Sequence, residues 1–123
     1  MSQTSAYINI FASDNVTLQD AFQFGTPGDT SWDFVGQNFI MEVKASRDDV
    51  APLLTLTSAG GSIIVDSTSL RVLHLNLSEA ALQAALPVGE YVYDLVMFDG
   101  SAPPIRVQLM QGRFCLSKGV TEN

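Results

Sequence analysis

Asn38-Phe39-Ile40-Met41-Glu42-Val43-Lys44-Ala45 places Phe39, Met41, Val43 and Ala45 on one face of an extended chain and Asn38, Glu42 and Lys44 on the other. Successive side chains of a strand point to opposite faces of its sheet, so this period-two separation predicts a half-buried β-strand. Leu70 to Leu77 repeats the pattern, with Leu73, Leu75 and Leu77 in one phase and His74 and Asn76 in the other. Tyr91 to Phe98 alternates Tyr91, Tyr93, Leu95 and Met97 against Val92, Asp94, Val96 and Phe98. Both of its faces are largely apolar, which predicts a central strand.

Shorter strands are expected between these. Leu53 to Thr57 and Ser62 to Asp66 flank Ser58-Ala59-Gly60-Gly61, and the glycines suit a tight β-hairpin connection. Asp99-Gly100-Ser101-Ala102-Pro103-Pro104 reads as a longer hairpin loop leading into a last strand, Ile105 to Ser117. There Ile105, Val107 and Leu109 share one phase, while Met110, Gly112, Phe114 and Leu116 share the other, and a bulge near Gln111-Gly112 would reconcile them. The helical signal is Ser78 to Leu86, with Ser78 as N-cap, Glu79 at the positive end of the dipole, and Pro87 and Gly89 as the stop.

Strands at this spacing indicate an all-β fold, an immunoglobulin-like antiparallel β-sandwich with one short crossover helix at about 78-86. The helix crosses from the Leu70 strand to the Tyr91 strand and closes one end. Tyr91, after Pro87-Val88-Gly89-Glu90, is placed to hydrogen-bond back to the preceding corner, as a tyrosine corner does. Residues 16-123 are expected to form a single domain, and residues 1-15 a flexible arm or an edge strand. Tyr7 to Phe11 and Val16 to Phe24 have strand-like content, and Gly25-Thr26-Pro27-Gly28-Asp29 is turn chemistry.

Composition narrows function. The 123 residues carry 46% hydrophobic and 15% charged side chains, which is ample material for a core. Thirteen acidic against six basic residues give a net charge of −7, and Lys44, Arg47, Arg71, Arg106, Arg113 and Lys118 are scattered singly. Phosphate neutralisation needs clustered cations, so neither nucleic acid nor an anionic membrane surface is an expected partner. The lone Cys115 lies in the apolar stretch Arg113-Phe114-Cys115-Leu116 and reads as a core residue. The N-terminal Met1-Ser2-Gln3-Thr4-Ser5 lacks signal-peptide features, and no apolar run approaches the ~20 residues of a membrane span. A cytosolic site of synthesis is therefore expected, and Asn15-Val16-Thr17 and Asn76-Leu77-Ser78 carry no weight as glycosylation sites.

Catalysis needs a nucleophile, a proton shuttle or a metal, and the sequence assembles none of them. His74, the only histidine, sits mid-strand in the outward phase and reads as a surface or edge-strand residue. One His and one Cys are too few ligands for zinc. Asp48-Asp49 reads as a solvated turn, and Asp94 and Asp99 do not fit a calcium loop, because Gly100 is not followed by the later Glu. Gly25-Thr26-Pro27-Gly28 lacks the Lys-Ser or Lys-Thr of a phosphate loop. The expectation is no enzyme, no catalytic, cofactor-binding or metal residues, and no cofactor. Trp32 and Phe34 invite a carbohydrate-binding or host-recognition reading through sugar stacking, with a host glycan as partner. Their position just before a strand favours plugging the sandwich edge instead.

The order of signals from about Gln19 to Thr121 resembles small virion proteins of tailed bacteriophages, and is similar to the immunoglobulin-like N-terminal domains of phage baseplate upper proteins. The resemblance rests on Asp33-Phe34-Val35-Gly36 before the strand Phe39 to Ala45, then Leu54-Thr55-Leu56-Thr57, Gly60-Gly61-Ser62-Ile63 and the helix Leu77 to Leu86. It continues through Pro87 to Leu95, Gln111-Gly112-Arg113-Phe114 and Gly119-Val120-Thr121. It implies a non-enzymatic virion structural protein, made in the bacterial host cytoplasm and located in the tail, baseplate, collar or on the head surface. Its partners would be other virion proteins and copies of itself in a homo-oligomer. Baseplate upper proteins continue into a long fibre-binding region, and this sequence stops at Asn123. The outward apolar set Val92, Val96 and Phe98, together with an N-terminal stretch too irregular to be all core, is the expected docking surface.

Overall fold

The computed structural model describes residues 6–24, 34–68 and 71–119. Among the described residues nine strands and one helix follow in chain order: β1 (Ala6–Tyr7), β2 (Ile10–Ser13), β3 (Ala21–Gln23), β4 (Asn38–Lys44), β5 (Leu54–Thr57), β6 (Ile63–Ser67), β7 (Val72–Leu75), α1 (Glu79–Ala85), β8 (Gly89–Phe98) and β9 (Arg106–Ser117). A large sheet runs β1-β9-β8-β4-β5 with β2 also on β9, and a three-stranded sheet runs β3-β7-β6. Their inner faces share one core, so the fold is an all-β sandwich.

Alternation decides which side chains enter that core. Phe39, Met41 and Val43 of β4 are buried beside Tyr91, Tyr93, Leu95 and Met97 of β8, and Leu73 and Leu75 of β7 face them from the small sheet. Strand β8 lies between β4 and β9, as two apolar faces require. Ala45 lies beyond the end of β4 and is exposed. Phe34 fills one end of the sandwich, edge-on to Phe39 at 4.8 Å.

The helix forms where its caps allow it. Ser78 Oγ accepts the Ala81 N–H at 3.2 Å, the Leu86 N–H closes on Leu82 O, and Leu82 is fully buried. α1 thus carries the chain from β7 in the small sheet to β8 in the large one. At its exit the Tyr91 hydroxyl donates to Pro87 O, the corner bond expected from the sequence.

Four expectations are corrected. The glycine turn at 58–61 is not a hairpin: β5 pairs with β4 and β6 with β7, so the turn is an arch between sheets. Gly61, at φ 84°, makes the reversal, while the Ser62 hydroxyl accepts from Thr57 N (3.0 Å) and donates to Thr57 O (3.3 Å). The bulge of β9 falls at Leu109, where the pairing steps from Leu95↔Met110 to Val96↔Gln108, two residues before the expected place. Leu109 and Met110 are consequently both buried. The sandwich is not wholly antiparallel, because β1 and β2 run parallel to β9 at the edge of the large sheet. Cys115 is not in the core; it sits half-exposed on the outer face of β9, its Sγ 3.9 Å from Glu90 Oε1. Among the described residues the core also holds a charged side chain that the sequence did not flag, Arg71, fully buried and with a left-handed backbone (φ 56°).

Candidate interaction surface

The edge formed by residues 6–13 is held by an unusual three-strand arrangement. Its register on β9 is constant, from Ala6↔Met110 to Ser13↔Ser117, but the ladder is interrupted at Ile8-Asn9. A regular parallel ladder would have Arg113 N–H donate to Ile8 O. Here Arg113 N–H donates to the Asn9 side chain Oδ1 (3.1 Å), and Ile8 O accepts from the Tyr93 hydroxyl (2.6 Å). Tyr93 can reach across β9 because its cross-strand partner is Gly112, which has no side chain in the way. A Cβ on Gly112 would stand 2.2 Å from Ile8 O. Burial, with a smaller contribution from Tyr7, pushes the Tyr93 phenol well above the ordinary tyrosine range, so its proton stays available to Ile8 O.

The polarity of this strand follows from its bonds. Ile8 N–H donates to Gln111 O (2.8 Å) and Asp14 N–H to Ser117 O (3.0 Å), so even-numbered residues turn their backbone groups toward β9. Alternation then turns those of Tyr7, Asn9, Phe11 and Ser13 away from β9, on the side where no strand pairs with them among the described residues. Their side chains lie on the outer face, with Tyr7 63% and Phe11 72% exposed. The run Ala6 to Ser13 contains no charge and no proline, two common devices that blunt a sheet edge. The opposite edge differs. At β5 both backbone groups of Thr57 are already taken by Ser62 Oγ.

The outward set Val92, Val96 and Phe98 is half-buried by its own neighbours. The Arg106 guanidinium lies 5.3 Å over the Phe98 ring, Val96 pairs across to Ile40, and Val92 is flanked by Lys44 and Arg113. The more exposed aromatic surface is therefore on the N-terminal edge, within the 1-15 stretch that the sequence reads as a flexible arm or an edge strand. An uncharged alternating octapeptide was its available signal.

The remaining flagged residues are dispersed. His74 faces outward from the middle of the small sheet, its Nδ1 2.7 Å from the Asp66 carboxylate. Asp49 accepts from Ser46 N–H at 3.3 Å in an exposed turn with Asp48. Asp94 accepts from Gln108 Nε2 (3.1 Å). Asp99 organises the β8–β9 loop, accepting from Ser101 Oγ (2.5 Å), Ser101 N–H and Ile105 N–H, and these bonds, Ser101's first, lower its pKa. The structure brings none of these carboxylates to His74 except Asp66. Trp32, Asp33 and the 25–29 turn lie outside the described residues, so the glycan-stacking reading of Trp32 has no geometry to rest on. Among the described residues no helix is long and apolar enough to cross a membrane, and no cluster of three or more His, Cys, Asp or Glu is placed to hold a metal ion.

No protein-family model matches this sequence, and no curated protein matches it.

Proposed function

We propose that this chain is a non-enzymatic structural component of a tailed-phage virion, acting by protein–protein assembly in the tail, baseplate, collar or on the head surface. Its partners on this reading are other virion proteins and further copies of itself. The observation that carries the assembly part is the edge at residues 6–13, unpaired on its outer side among the described residues, an uncharged strand with exposed Tyr7 and Phe11. The virion part rests on the ordered resemblance along Gln19 to Thr121. The immunoglobulin-like assignment is supported by the Tyr91–Pro87 corner. Peptide mass spectrometry of purified particles tests the proposal: peptides of this chain at a fixed ratio to the major tail or capsid protein support it. Their absence from particles of the phage that encodes the chain removes it.

A further inference from the structure

We infer that the edge strand Ala6 to Ser13 is a self-pairing site, at which two copies of this chain join their large sheets antiparallel about a two-fold axis. The odd-numbered residues supply the hydrogen-bonding side. With Asn9 opposite Asn9 of the second copy, Tyr7 faces Phe11 of that copy, and Phe11 faces its Tyr7, on the same outer face. Each such position is a hydrogen-bonded pair of an antiparallel ladder, and the two aromatic pairs it creates are among the favourable cross-strand combinations.

Charge argues for a second copy over a foreign strand of either sign. The chain carries a net charge of −7, which opposes self-association through most of its surface, yet the strand itself contributes no charge to that repulsion. A strand that pairs with itself needs this neutrality, because like charges directly opposite each other are destabilising. The other edge of the large sheet is less suited, since β5 spans four residues and Ser62 occupies both groups of Thr57.

Area sets the strength. At 63% and 72% exposure, Tyr7 and Phe11 offer roughly 270 Å² per copy if a full aromatic buries about 200 Å². Two copies supply about 540 Å², under the ~1,200 Å² at which stable interfaces begin, so the dimer is weak and reversible. The inference deepens the assembly reading by naming its surface. It is decided on the isolated chain, so its failure is distinguishable from absence of the protein from particles.

Sedimentation over ~1 to ~500 μM is expected to shift the mass from 13.3 kDa toward twice that value, and the double variant Tyr7→Lys/Phe11→Lys to remain at 13.3 kDa throughout. Both side chains are exposed, so the variant keeps its core. Amide exchange supplies the second readout: at high concentration the amides of Tyr7, Asn9 and Phe11 slow by about tenfold or more, while those of Ile8 and Ile10 are protected at every concentration. A monomer across the range, a dimer unaffected by the lysines, or a dimer whose odd-numbered amides stay fast would each overturn the inference.

Discussion

Gly112→Ala probes the N-terminal edge at its tightest point. The added methyl would meet Ile8 O at 2.2 Å, Ile8 C at 2.8 Å and Asn9 Oδ1 at 3.2 Å. The first two are backbone atoms, so no rotamer change relieves the contact, and the strand must retreat by roughly 1 Å to reach an ordinary C···O distance of ~3.3 Å. That retreat breaks or stretches the Tyr93–Ile8 bond at 2.6 Å, the Arg113–Asn9 bond at 3.1 Å and the Ile8–Gln111 bond at 2.8 Å. At about 1 kcal/mol for each bond lost, or 1–3 kcal/mol for overpacking if they survive, the expected destabilisation is about 2–3 kcal/mol. Urea denaturation measures it, and amide exchange localises it, with Ile8 and Ile10 exposed ahead of the core strands. Tyr93→Phe removes one of the same bonds, so the double variant should cost less than the sum of the single ones. A Gly112→Ala protein within about 0.5 kcal/mol of the parent, or strictly additive costs, would refute the clamp.

Three further outcomes follow from the geometry. Tyr91→Phe should lower stability by about 1 kcal/mol in a denaturant melt, through loss of the corner bond to Pro87 O. Leu82→Ala, which empties the buried contact of the helix with the core, should cost about 2–5 kcal/mol by the same measurement. Alkaline stability should carry the mark of Tyr93, whose pKa is raised by burial. With the unfolded phenol titrating near 10, its contribution is complete below about pH 10 and lost as pH rises above it, so the stability gap between the parent and Tyr93→Phe should narrow from there upward. A constant gap to about pH 11 would contradict this.

Side-chain alternation made much of the sandwich legible. It identified the inner faces of β4, β7 and β8, and cap chemistry placed α1 within a residue of Glu79–Ala85. What alternation reports is which side of a strand faces the core, and both layers of a sandwich give the same signal. The turn at 58–61 shows the consequence, since two glycines suit an arch between sheets as well as a hairpin within one. Cys115 was a different failure. The phase Met110, Gly112, Phe114, Leu116 already assigned it to the other face, and its apolar neighbours drew the reading toward the core. The candidate surface was the least legible part. Its strand pairs with a partner 104 positions away, Ile10 with Phe114, and its clamp joins Ile8 to Tyr93. The uncharged alternation of Ala6 to Ser13 marks a strand but not its long-range register, and the burial of Arg71 leaves no local pattern either.

The proposed role has this sandwich gripping neighbouring virion proteins through its sheet edge and flanks. An electron cryomicroscopy map of intact particles, at a resolution that traces strands, addresses it directly. The expected result is density for the chain repeated with the particle's symmetry, with Tyr7 and Phe11 buried against a neighbouring subunit. Particles whose every component is traced without this chain, or with its N-terminal edge facing open solvent, would contradict it.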